Sequence, residues 1–380
     1  MSSGSLTVDG ADESGPAREQ AWRWIDDAQT LNEVVDSARS AKSLAIDTEF
    51  VRRRTYYAEL GLVQLAVAGE LYLLDPLAID AGAPLGQLLG DAQITKLIHA
   101  GGEDIEVLER WSGVRPVNLI DTQIASQLSG VPGQIGYQRL VAERLGVQLS
   151  KGEQQSDWLK RPLSARQCDY AADDVRYLQP LADQLFPEIE RLGRREWLEE
   201  ECLRQIDRVL AGPSDYPHLN ERNAGSYPPQ VQWRLCLLLR WREREAQRKD
   251  KPRSWILDNG LAIAIAHCAS GDDAAVVRCL KEAGRRDPQA SATPLRTALA
   301  AGGQMPADFP LAPPPIDGPQ KQAVKALRAA LGEVAEALGL APELIATRAV
   351  LEQAIRERAW PQGIGQWRAK VLEKVDPSRY

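Results

Sequence analysis

Cysteine is scarce in this sequence, and its spacing does not suit a disulfide or zinc framework. The 380 residues include five cysteines, an odd number, and none of them forms a C-x-x-C pair. Small disulfide-rich domains and structural zinc sites both rely on closely spaced cysteines. We therefore expect reduced thiols in a cytoplasmic protein.

Long apolar runs and nucleotide-binding loops are also missing. Apolar runs such as Leu235 to Leu239 are far shorter than the roughly 20 residues that span a bilayer, so we expect no membrane contact. There is no G-x-x-x-x-G-K-S/T loop, which argues against a nucleotide cofactor. Residues 1–21 are small and acidic, unlike a secretory signal, and predict a disordered lead-in.

The sequence has no overall excess of positive charge. The 46 Lys and Arg residues against 53 Asp and Glu residues give a net charge of −7. Net charge does not exclude a nucleic-acid ligand, because it averages acidic metal sites with basic patches elsewhere. The distribution of charge is more informative, and one stretch, residues 234–253, is rich in arginine and lysine.

Three strands are predicted near the N-terminus. Ser43 to Phe50 is a dense apolar segment with β-compatible residues, and the two apolar runs around Ala68 to Glu70 predict a hairpin after it. Lys96 to Ala100 predicts a further short strand. Gly101 and Gly102 break that strand, and the apolar spacing then becomes helical.

Helical patterns continue from Asp121. Ser164 and Gln167 have the spacing of a capping box and predict the start of a long helix. A hairpin-led sheet followed by strand–helix units is an α/β arrangement. We therefore predict an α/β domain over residues 22–212.

The remainder of the sequence predicts helices alone. Proline- and glycine-containing stretches mark a boundary near residue 213, and helical patterns follow to residue 302. Residues 303–319 are rich in proline and predict a linker, and residues 320–380 contain further helical segments. Two small all-α domains, 213–302 and 320–380, are therefore expected after the α/β domain.

Acidic residues recur at positions that suit a metal site. Asp47 and Glu49 are separated by one residue on a predicted strand, so their side chains emerge on the same face. Asp104 lies at the start of a helix, and Asp174 lies one turn after Tyr170 on another helix. Four carboxylates can hold two divalent cations that act on a phosphodiester. Each element is weak alone, and their ordered combination is more specific.

Three motifs resemble a known nuclease superfamily. The runs IDTEF, HAGGEDIEVL and YAADDVRYL resemble the exonuclease motifs of the DEDD superfamily, and the spacing of Tyr170 and Asp174 resembles its tyrosine branch, DEDDy. The stretch SDWLKRPLSARQCDYAADDVRYLQPL is similar to the ribonuclease D family in particular. The helical segments around WREREAQRKDKPRSWIL and LGLAPELIATR resemble HRDC domains.

The resemblance implies a ribonuclease H-like fold and a 3′→5′ exoribonuclease that trims the 3′ ends of precursor tRNA and other structured RNAs. It implies two divalent metal ions, Mg²⁺ or Mn²⁺, held by Asp47, Glu49, Asp104 and Asp174. It assigns the orientation of the attacking water to Tyr170. The expected products are nucleoside 5′-monophosphates, and we expect a monomer.

Four further residues are candidates for substrate binding. Gln64 lies inside the second strand and would reach the scissile region by family analogy. Arg52 follows the first motif, where an RNA contact and a solvated loop are about equally plausible. Arg240 and Arg244 belong to the basic stretch, which is either an ion-paired helix face or, as the HRDC resemblance favours, a surface facing nucleic acid.

Histidines and tryptophans are interpreted as structural residues. His99 is interpreted as a structural residue at a strand end, and Trp233, Trp241 and Trp255 as core residues. Tyr56 and Tyr57 are candidates for base stacking, although packing is expected for at least one.

The alternatives to an exoribonuclease are a DNA exonuclease of the Werner type and a non-catalytic RNA-binding protein. The intact carboxylate set argues against the latter.

Overall fold

An α/β region is followed by helices alone in the computed structural model, which describes residues 22–150, 152–268 and 273–380. The expected lead-in, residues 1–21, lies outside them. The strands are β1 (Arg23–Ile25), β2 (Ser43–Val51), β3 (Glu59–Val67), β4 (Glu70–Leu74), β5 (Thr95–Ile98) and β6 (Leu119–Asp121). The helices of this region are α1 (Ala28–Ala41), α2 (Gly82–Gly90), α3 (Gly102–Ser112), α4 (Thr122–Leu128), α5 (Tyr137–Leu145), α6 (Ala165–Arg176), α7 (Leu178–Arg191) and α8 (Arg195–Leu210).

The six strands form one mixed sheet in the order β1-β4-β3-β2-β5-β6. β2, β3 and β4 are antiparallel neighbours, whereas β5 and β6 continue the sheet in parallel with β2. The predicted strand, hairpin and later short strand are confirmed. The sequence analysis did not identify β1, β6 or α1.

The two faces of the sheet pack against different helices. Ala45 lies on the face covered by α4, α6, α7 and α8, while Leu44 and Ile46 lie on the face covered by α1, α2 and α3. Because side chains alternate along a strand, Asp47 and Glu49 share the face of Ala45. Burial on both faces explains why β2 reads as a nearly continuous apolar segment.

The capping box predicted at Ser164 is present. The Ser164 hydroxyl accepts a hydrogen bond from the Gln167 backbone N–H at 3.2 Å, and the Gln167 side chain accepts one from the Ser164 backbone N–H at 3.0 Å. The helix that begins there is shorter than expected, since α6 ends at Arg176 and α7 follows after Tyr177. The capping box therefore fixes the start of α6, almost three turns before Asp174.

The C-terminal part contains no strand among the residues that the structure describes. Its first group of helices is α9 (Pro229–Lys249), α10 (Arg253–Ile256), α11 (Asn259–Cys268), α12 (Asp273–Glu282) and α13 (Pro288–Ala301), and its second is α14 (Gly318–Leu338), α15 (Pro342–Ile345), α16 (Arg348–Glu357) and α17 (Gln366–Leu372). Within the described ranges, no helix is both long and apolar enough to cross a membrane.

The Pro-rich segment between the two groups, residues 303–319, packs against the first group. Phe309 stacks on His218 with ring centroids 4.7 Å apart, and the backbone N–H of Ala312 donates to the Gln232 side chain at 2.7 Å. These contacts fix the middle of the segment, so it serves as more than a spacer.

The second helical group shares a core with the α/β region. Leu327 and Leu331 of α14 belong to the same apolar cluster as Leu181 and Leu185 of α7. Trp367 of α17 stacks on Trp197 of α8, with ring centroids 4.6 Å apart. The two regions therefore bury a common apolar surface.

The tryptophans of the first helical group differ in exposure. Trp233 is buried, with 8% of its surface exposed, and Trp241 is half-buried in the core of that group. Trp255 is 51% exposed, so the expectation that it belongs to the core is wrong. It lies on the four-residue helix α10, which is too short to bury a full face.

We predict that Trp367→Ala destabilises the α/β region together with the second helical group. Trp367 is 2% exposed, and truncating a buried tryptophan costs about 3–5 kcal/mol. Chemical denaturation followed by far-UV circular dichroism should show a lower midpoint in a single transition. Trp255→Ala is the control, because an exposed side chain contributes about 0.5 kcal/mol or less. Equal effects of the two substitutions would contradict the shared core.

Candidate active site

Two carboxylates and an amide come together on β2 and β3. Asp47 pairs with Gln64 across the two antiparallel strands, and Glu49 pairs with Leu62. Directly paired residues place their Cβ atoms about 4.5–5.5 Å apart on one face of a sheet. Asp47, Glu49 and Gln64 therefore share one side of the sheet.

A β-bulge follows immediately. The register shifts between Glu49 and Phe50, which pair with Leu62 and Leu60 and leave Gly61 as the extra residue on β3. A Cβ on Gly61 would lie 2.6 Å from the backbone oxygen of Trp158, so only glycine fits there. Bulges bend a strand and re-aim its side chains, and this one sits beside Glu49.

Helix α6 brings two more groups to the same face of the sheet. Tyr170 and Asp174 are four residues apart and so lie on one side of α6. The Tyr170 hydroxyl donates a hydrogen bond to the Asp174 carboxylate. Tyr170 is 8% exposed and belongs to the apolar cluster that fixes α6 on the sheet.

Asp104 approaches from the opposite face, in the first turn of α3. Its Oδ1 accepts a hydrogen bond from the Thr48 hydroxyl at 2.5 Å. Thr48 lies between Asp47 and Glu49 in sequence and points away from them, toward α3. Strand β2 therefore carries Asp47 and Glu49 on one face. Its other face carries Thr48, which hydrogen-bonds Asp104.

The turn before α3 is held by Asp121, which the sequence analysis did not identify. Asp121 is fully buried at the end of β6. It accepts hydrogen bonds from the backbone N–H groups of Ala100 at 2.9 Å and Gly101 at 3.1 Å, and from the side chain of Gln205 at 2.8 Å. Ala100 has a φ of +56°, a conformation unfavourable for a residue with a side chain. Asp121 thus fixes the strained turn that delivers Asp104.

The groups on the α6 side line a cavity of about 640 Å³. Predicted residues in its wall are Asp47, Glu49, Tyr170 and Asp174, whereas Asp104 is 9% exposed and lies behind the wall. The wall also contains residues that the sequence analysis left unassigned or treated as structural: His99, Gly136, Tyr137, Gln138, Arg139, Ala142, Gln148, Leu149 and Gln154.

Two of these residues are held by hydrogen bonds. The Tyr137 hydroxyl donates to the backbone oxygen of Asp173 at 2.9 Å. His99 Nε2 donates to the backbone oxygen of Ile135 at 3.0 Å, and Nδ1 lies 2.9 Å from the Thr122 hydroxyl. Both nitrogens of His99 are engaged, in agreement with a structural role at the end of β5. No local sequence signal distinguishes Tyr137 from a packing tyrosine.

Burial and mutual repulsion raise the pKa values of the four carboxyls. Burial raises the pKa of Glu49 to about 9, with a further contribution from the charges of Asp174 and Asp104. Burial, together with the other three carboxylates, raises the pKa of Asp47 well above its usual value. The pKa of Asp174 rises to about 7 and that of Asp104 to about 6, mainly through burial, although the hydrogen bonds from Tyr170 and Thr48 oppose the shift.

These electrostatics suit bound cations. In the part of the chain that the structure describes, no basic side chain is among the main causes of the pKa shifts of the four carboxyls. Gln64 is fully buried next to Asp47, and neither polar atom of its amide has a hydrogen-bond partner within the described ranges. No three acidic, histidine or cysteine side chains in the described part of the chain surround a metal position by themselves. Hard divalent cations keep waters and substrate oxygens as ligands, so this donor set fits them.

The predicted basic residues lie outside this cavity. Arg52 follows β2 and forms ion pairs with Glu106 at 2.9 Å and Glu103 at 3.7 Å, both on α3. Arg240 and Arg244 lie on α9 in the first helical group, and neither lines the cavity. Substrate contacts by these arginines would have to be made away from the carboxylates.

Comparison with known proteins relates this arrangement to nucleases. A family model described as 3′-5′ exonuclease matches residues 22–190. Ribonuclease D of Xanthomonas oryzae pv. oryzae is 40% identical over 351 residues, which cover 92% of this chain and 96% of that protein. Ribonuclease D of Escherichia coli K12 is 34% identical over 362 residues, covering 92% and 95%.

Solved structures agree with the sequence comparisons. The crystal structure of Escherichia coli RNase D, described as an exoribonuclease involved in structured RNA processing, matches with a TM-score of 0.81 at 31% identity and covers 93% of this chain and 96% of that one. The catalytic core of RRP6 from Trypanosoma brucei matches with a TM-score of 0.54 at 22% identity, covering 73% and 79%, and indicates a shared fold.

We predict that the metal-free protein loses stability as the pH rises. Asp104, Asp174 and Glu49 have raised folded pKa values of about 6, 7 and 9, against about 4 in the unfolded chain. The stability that these three carboxyls contribute is therefore fully present below about pH 4. It is lost as the pH rises through their pKa values in the folded state. The free energy of unfolding in a chelator should fall between pH 5 and 9, by at most about 1.4 kcal/mol per pH unit for each group.

Denaturant titrations at each pH would measure this slope. Asp174→Asn should reduce it, whereas Asp183→Asn, which changes an exposed acid on α7, should leave it intact. Addition of Mg²⁺ should restore stability at high pH, since a cation favours the ionised carboxylates. A slope that is the same in all three proteins would contradict the mutual repulsion of the carboxylates.

We also predict that Asp121→Asn weakens divalent-cation binding about 10–100-fold, the usual loss when a group that supports a metal ligand is changed. An amide presents one acceptor oxygen in place of two, so the turn at Ala100 and Gly101 loses a partner. Calorimetric titration with Mn²⁺ measures the affinity. Asp36→Asn, at a position whose side chain is 79% exposed, is the control. An unchanged Mn²⁺ affinity in a folded Asp121→Asn protein would show that Asp121 does not support the metal ligands.

Proposed function

The chain belongs to the ribonuclease D family and is a 3′→5′ exoribonuclease, and we propose that it trims the 3′ ends of precursor tRNA and other structured RNAs. The proposal includes two-metal hydrolysis that releases nucleoside 5′-monophosphates. Relatives over nine-tenths of the chain support the class of enzyme. The precursor-tRNA substrate is inferred from the family.

One observation carries the proposed mechanism. Four carboxyls from three separate elements have pKa values raised by burial and by nearby acids, and no basic side chain of the described residues is among the main causes of those shifts. A site that binds a polyanion has little use for four acids unless cations lie between them and the phosphate. The cavity is therefore best explained as a cation-dependent phosphodiester site.

We assign the metal ligands to Asp47, Glu49, Asp104 and Asp174. Asp47 and Glu49 extend from β2, Asp174 from α6 and Asp104 from α3. Two Mg²⁺ or Mn²⁺ ions held there would supply an acidified water and a stabilising charge for the leaving oxygen. The raised carboxyl pKa values imply that cation binding displaces protons at neutral pH.

The bond that breaks joins the phosphorus of the terminal nucleotide to the 3′ oxygen of the preceding one. A water oxygen attacks phosphorus, and the 3′ oxygen leaves and takes up a proton. The products are a nucleoside 5′-monophosphate and an RNA shortened by one nucleotide. Each product end can be read on a gel or by chromatography.

Tyr170 acts by positioning rather than by taking a proton. Burial and the charges of Asp174, Glu49 and Asp47 raise its pKa further above the ordinary value of about 10. Its hydroxyl therefore stays protonated at neutral pH and donates to Asp174. We propose that it orients Asp174 and the attacking water together.

Substrate contacts are proposed for Gln64, Arg52, Arg240 and Arg244. Gln64 is fully buried beside Asp47 and does not line the cavity, but its amide has no partner among the described residues, which supports a contact with substrate once it is bound. Arg52 lies three residues after Glu49, while Arg240 and Arg244 share one side of α9 because they are four residues apart. We interpret the helical groups as HRDC-like domains of a monomeric enzyme, and we assign RNA binding to the first of them.

Tyr170→Phe and Asp174→Asn separate positioning from metal binding. We expect Tyr170→Phe to lower kcat and to leave Mn²⁺ affinity unchanged, since no metal ligand is lost. Asp174→Asn should abolish both. Steady-state digestion of RNA and calorimetric titration with Mn²⁺ provide the two readouts. Equal metal affinity in the two variants would contradict this division of roles.

Digestion of a 5′-labelled single-stranded RNA with Mg²⁺ tests the proposed reaction. Wild-type protein should give a ladder that shortens from the 3′ end, and both a chelator and Asp174→Asn should abolish it. The same experiment with single-stranded DNA separates the RNA enzyme from a Werner-type DNA exonuclease, and precursor tRNA tests the substrate. Retention of RNA without cleavage would instead support a binding protein.

A further inference from the structure

We infer that a cleft at the joint between the α/β region and the first helical group binds backbone phosphates of the RNA strand upstream of its 3′ end. This inference rests on the proposed function, because it assigns the path of the same substrate. The cleft is separate from the carboxylate cavity and has a volume of about 450 Å³. Its lining residues are Arg52, Arg53, Thr55, Tyr56, Arg242, Pro252, Arg253, Ser254, Asp258 and Asn259.

Four arginines and one acid line the cleft, and the arginines come from both regions. Arg52 and Arg53 follow β2, whereas Arg242 lies on α9 and Arg253 begins α10. Arginine is the side chain best suited to phosphate, because its planar fork offers several donors and stays charged. Asp258, the acid, already accepts a hydrogen bond from the backbone N–H of Leu261 at 2.9 Å.

Two of the arginines carry donors that lack a partner. The Nε atoms of Arg52 and Arg242 are buried and have no hydrogen-bond acceptor among the described residues. Buried polar groups are nearly always paired, so an unpaired donor beside a cleft is consistent with a ligand there. Burial lowers the pKa of Arg242, whereas the charges of Glu243, Glu221 and Asp258 oppose the shift. An anionic ligand would give these guanidinium groups a further partner.

The remaining donors of these arginines hold the walls in place. Arg52 pairs with Glu106 at 2.9 Å, and Arg253 pairs with Glu243 at 2.6 Å. Arginine has five N–H donors, so one side chain can pair with a carboxylate and still bind a ligand. Each of these two guanidinium groups is thus held by a carboxylate at the edge of the cleft that it lines.

The Tyr56 loop fixes the joint. The backbone N–H groups of Tyr56 and Tyr57 donate to Asp250 Oδ1 at 2.9 and 3.1 Å. The Tyr56 hydroxyl hydrogen-bonds Glu243 and accepts from Arg253 at 3.0 Å. Tyr56 is therefore engaged between the two regions, in agreement with the packing role expected for at least one of the two tyrosines.

The cleft also lies in the right place relative to the chemistry. Arg52 is three residues after Glu49, so at about 3.3 Å per residue the Cα atoms of these two residues are at most about 10 Å apart. The cleft that Arg52 lines is therefore close to the strand that carries two of the carboxylates. An RNA strand with its 3′ end at the carboxylates would extend toward this cleft.

The face of α9 that lines the cleft differs from the face predicted to bind substrate. Arg242 lies two positions from both Arg240 and Arg244, which places it on the other side of the helix. Arg240 and Arg244 do not line the cleft. If RNA binds in the cleft, the charge of Arg242 should affect RNA affinity more than the charge of Arg240 or Arg244.

RNA binding by the full chain tests the inference. The probe is a 12-nucleotide single-stranded RNA in the presence of a chelator, titrated between 50 and 200 mM salt. Arg53→Glu reverses an exposed charge in the cleft, and Arg242→Gln removes the half-buried one. Arg348→Glu is the matched control, because Arg348 is 78% exposed and lies in the second helical group.

We expect Arg53→Glu and Arg242→Gln each to weaken RNA affinity about tenfold, the effect of one lost charged hydrogen bond. The slope of log affinity against log salt should become shallower by about 0.7 for each lost phosphate contact. Arg348→Glu should change neither. Hydrolysis of thymidine 5′-monophosphate p-nitrophenyl ester, which is too small to reach the cleft, should proceed at the wild-type rate in all three variants.

Two results would overturn the inference. One is an unchanged affinity and salt slope in both cleft variants. The other is an equal loss of RNA affinity in Arg348→Glu, since the effect would then be one of net charge. Failure of wild-type protein to cleave either substrate would count against the proposed reaction alone, because the binding measurements are made without cleavage.

Discussion

Burial of four carboxyl groups at one site is the feature that shapes this structure most. Burial is the main cause that raises the pKa values of Asp47, Glu49, Asp104 and Asp174, and the charges of nearby acids add to each shift. Such a group disperses or takes up protons unless its backbone is held rigidly and cations are supplied. The fold provides the rigidity, and the proposed divalent ions provide the charge.

Three of the four carboxylates are supported by different structural features. A bulge at Gly61 lies opposite Glu49, a capping box fixes the start of α6 ahead of Asp174, and Thr48 supports Asp104. Asp121 secures the strained turn at Ala100. These devices lie outside the cavity wall and bind backbone or neighbouring side chains, so they set geometry without taking part in the reaction. A polar network that is satisfied in this way specifies a single arrangement.

The two helical groups relate to this site in different ways. The second shares an apolar core with α6 to α8 and stacks Trp367 on Trp197, so it belongs to the scaffold that supports the active site. The first meets the α/β region through polar contacts of Tyr56 and Asp250, beside the arginine cleft. Polar joints leave room for a charged ligand, whereas apolar joints exclude it. We therefore propose that the first group guides the RNA strand.

Features that depend on neighbours along the chain can be predicted from the amino-acid sequence. They are the spacing of Asp47 and Glu49, the Tyr170–Asp174 pair, the hairpin and the Ser164 capping box, and the structure contains each of them. Contacts between distant groups depend instead on sheet register, helix rotation and domain packing. Examples are Asp121 at the turn before α3, Gln64 opposite Asp47, and Arg242 rather than Arg240 in the cleft. Local sequence patterns indicate on which side of its helix or strand a residue lies. They do not indicate which residue of another element it contacts. That limit also explains why Trp255 was expected in the core and is found exposed.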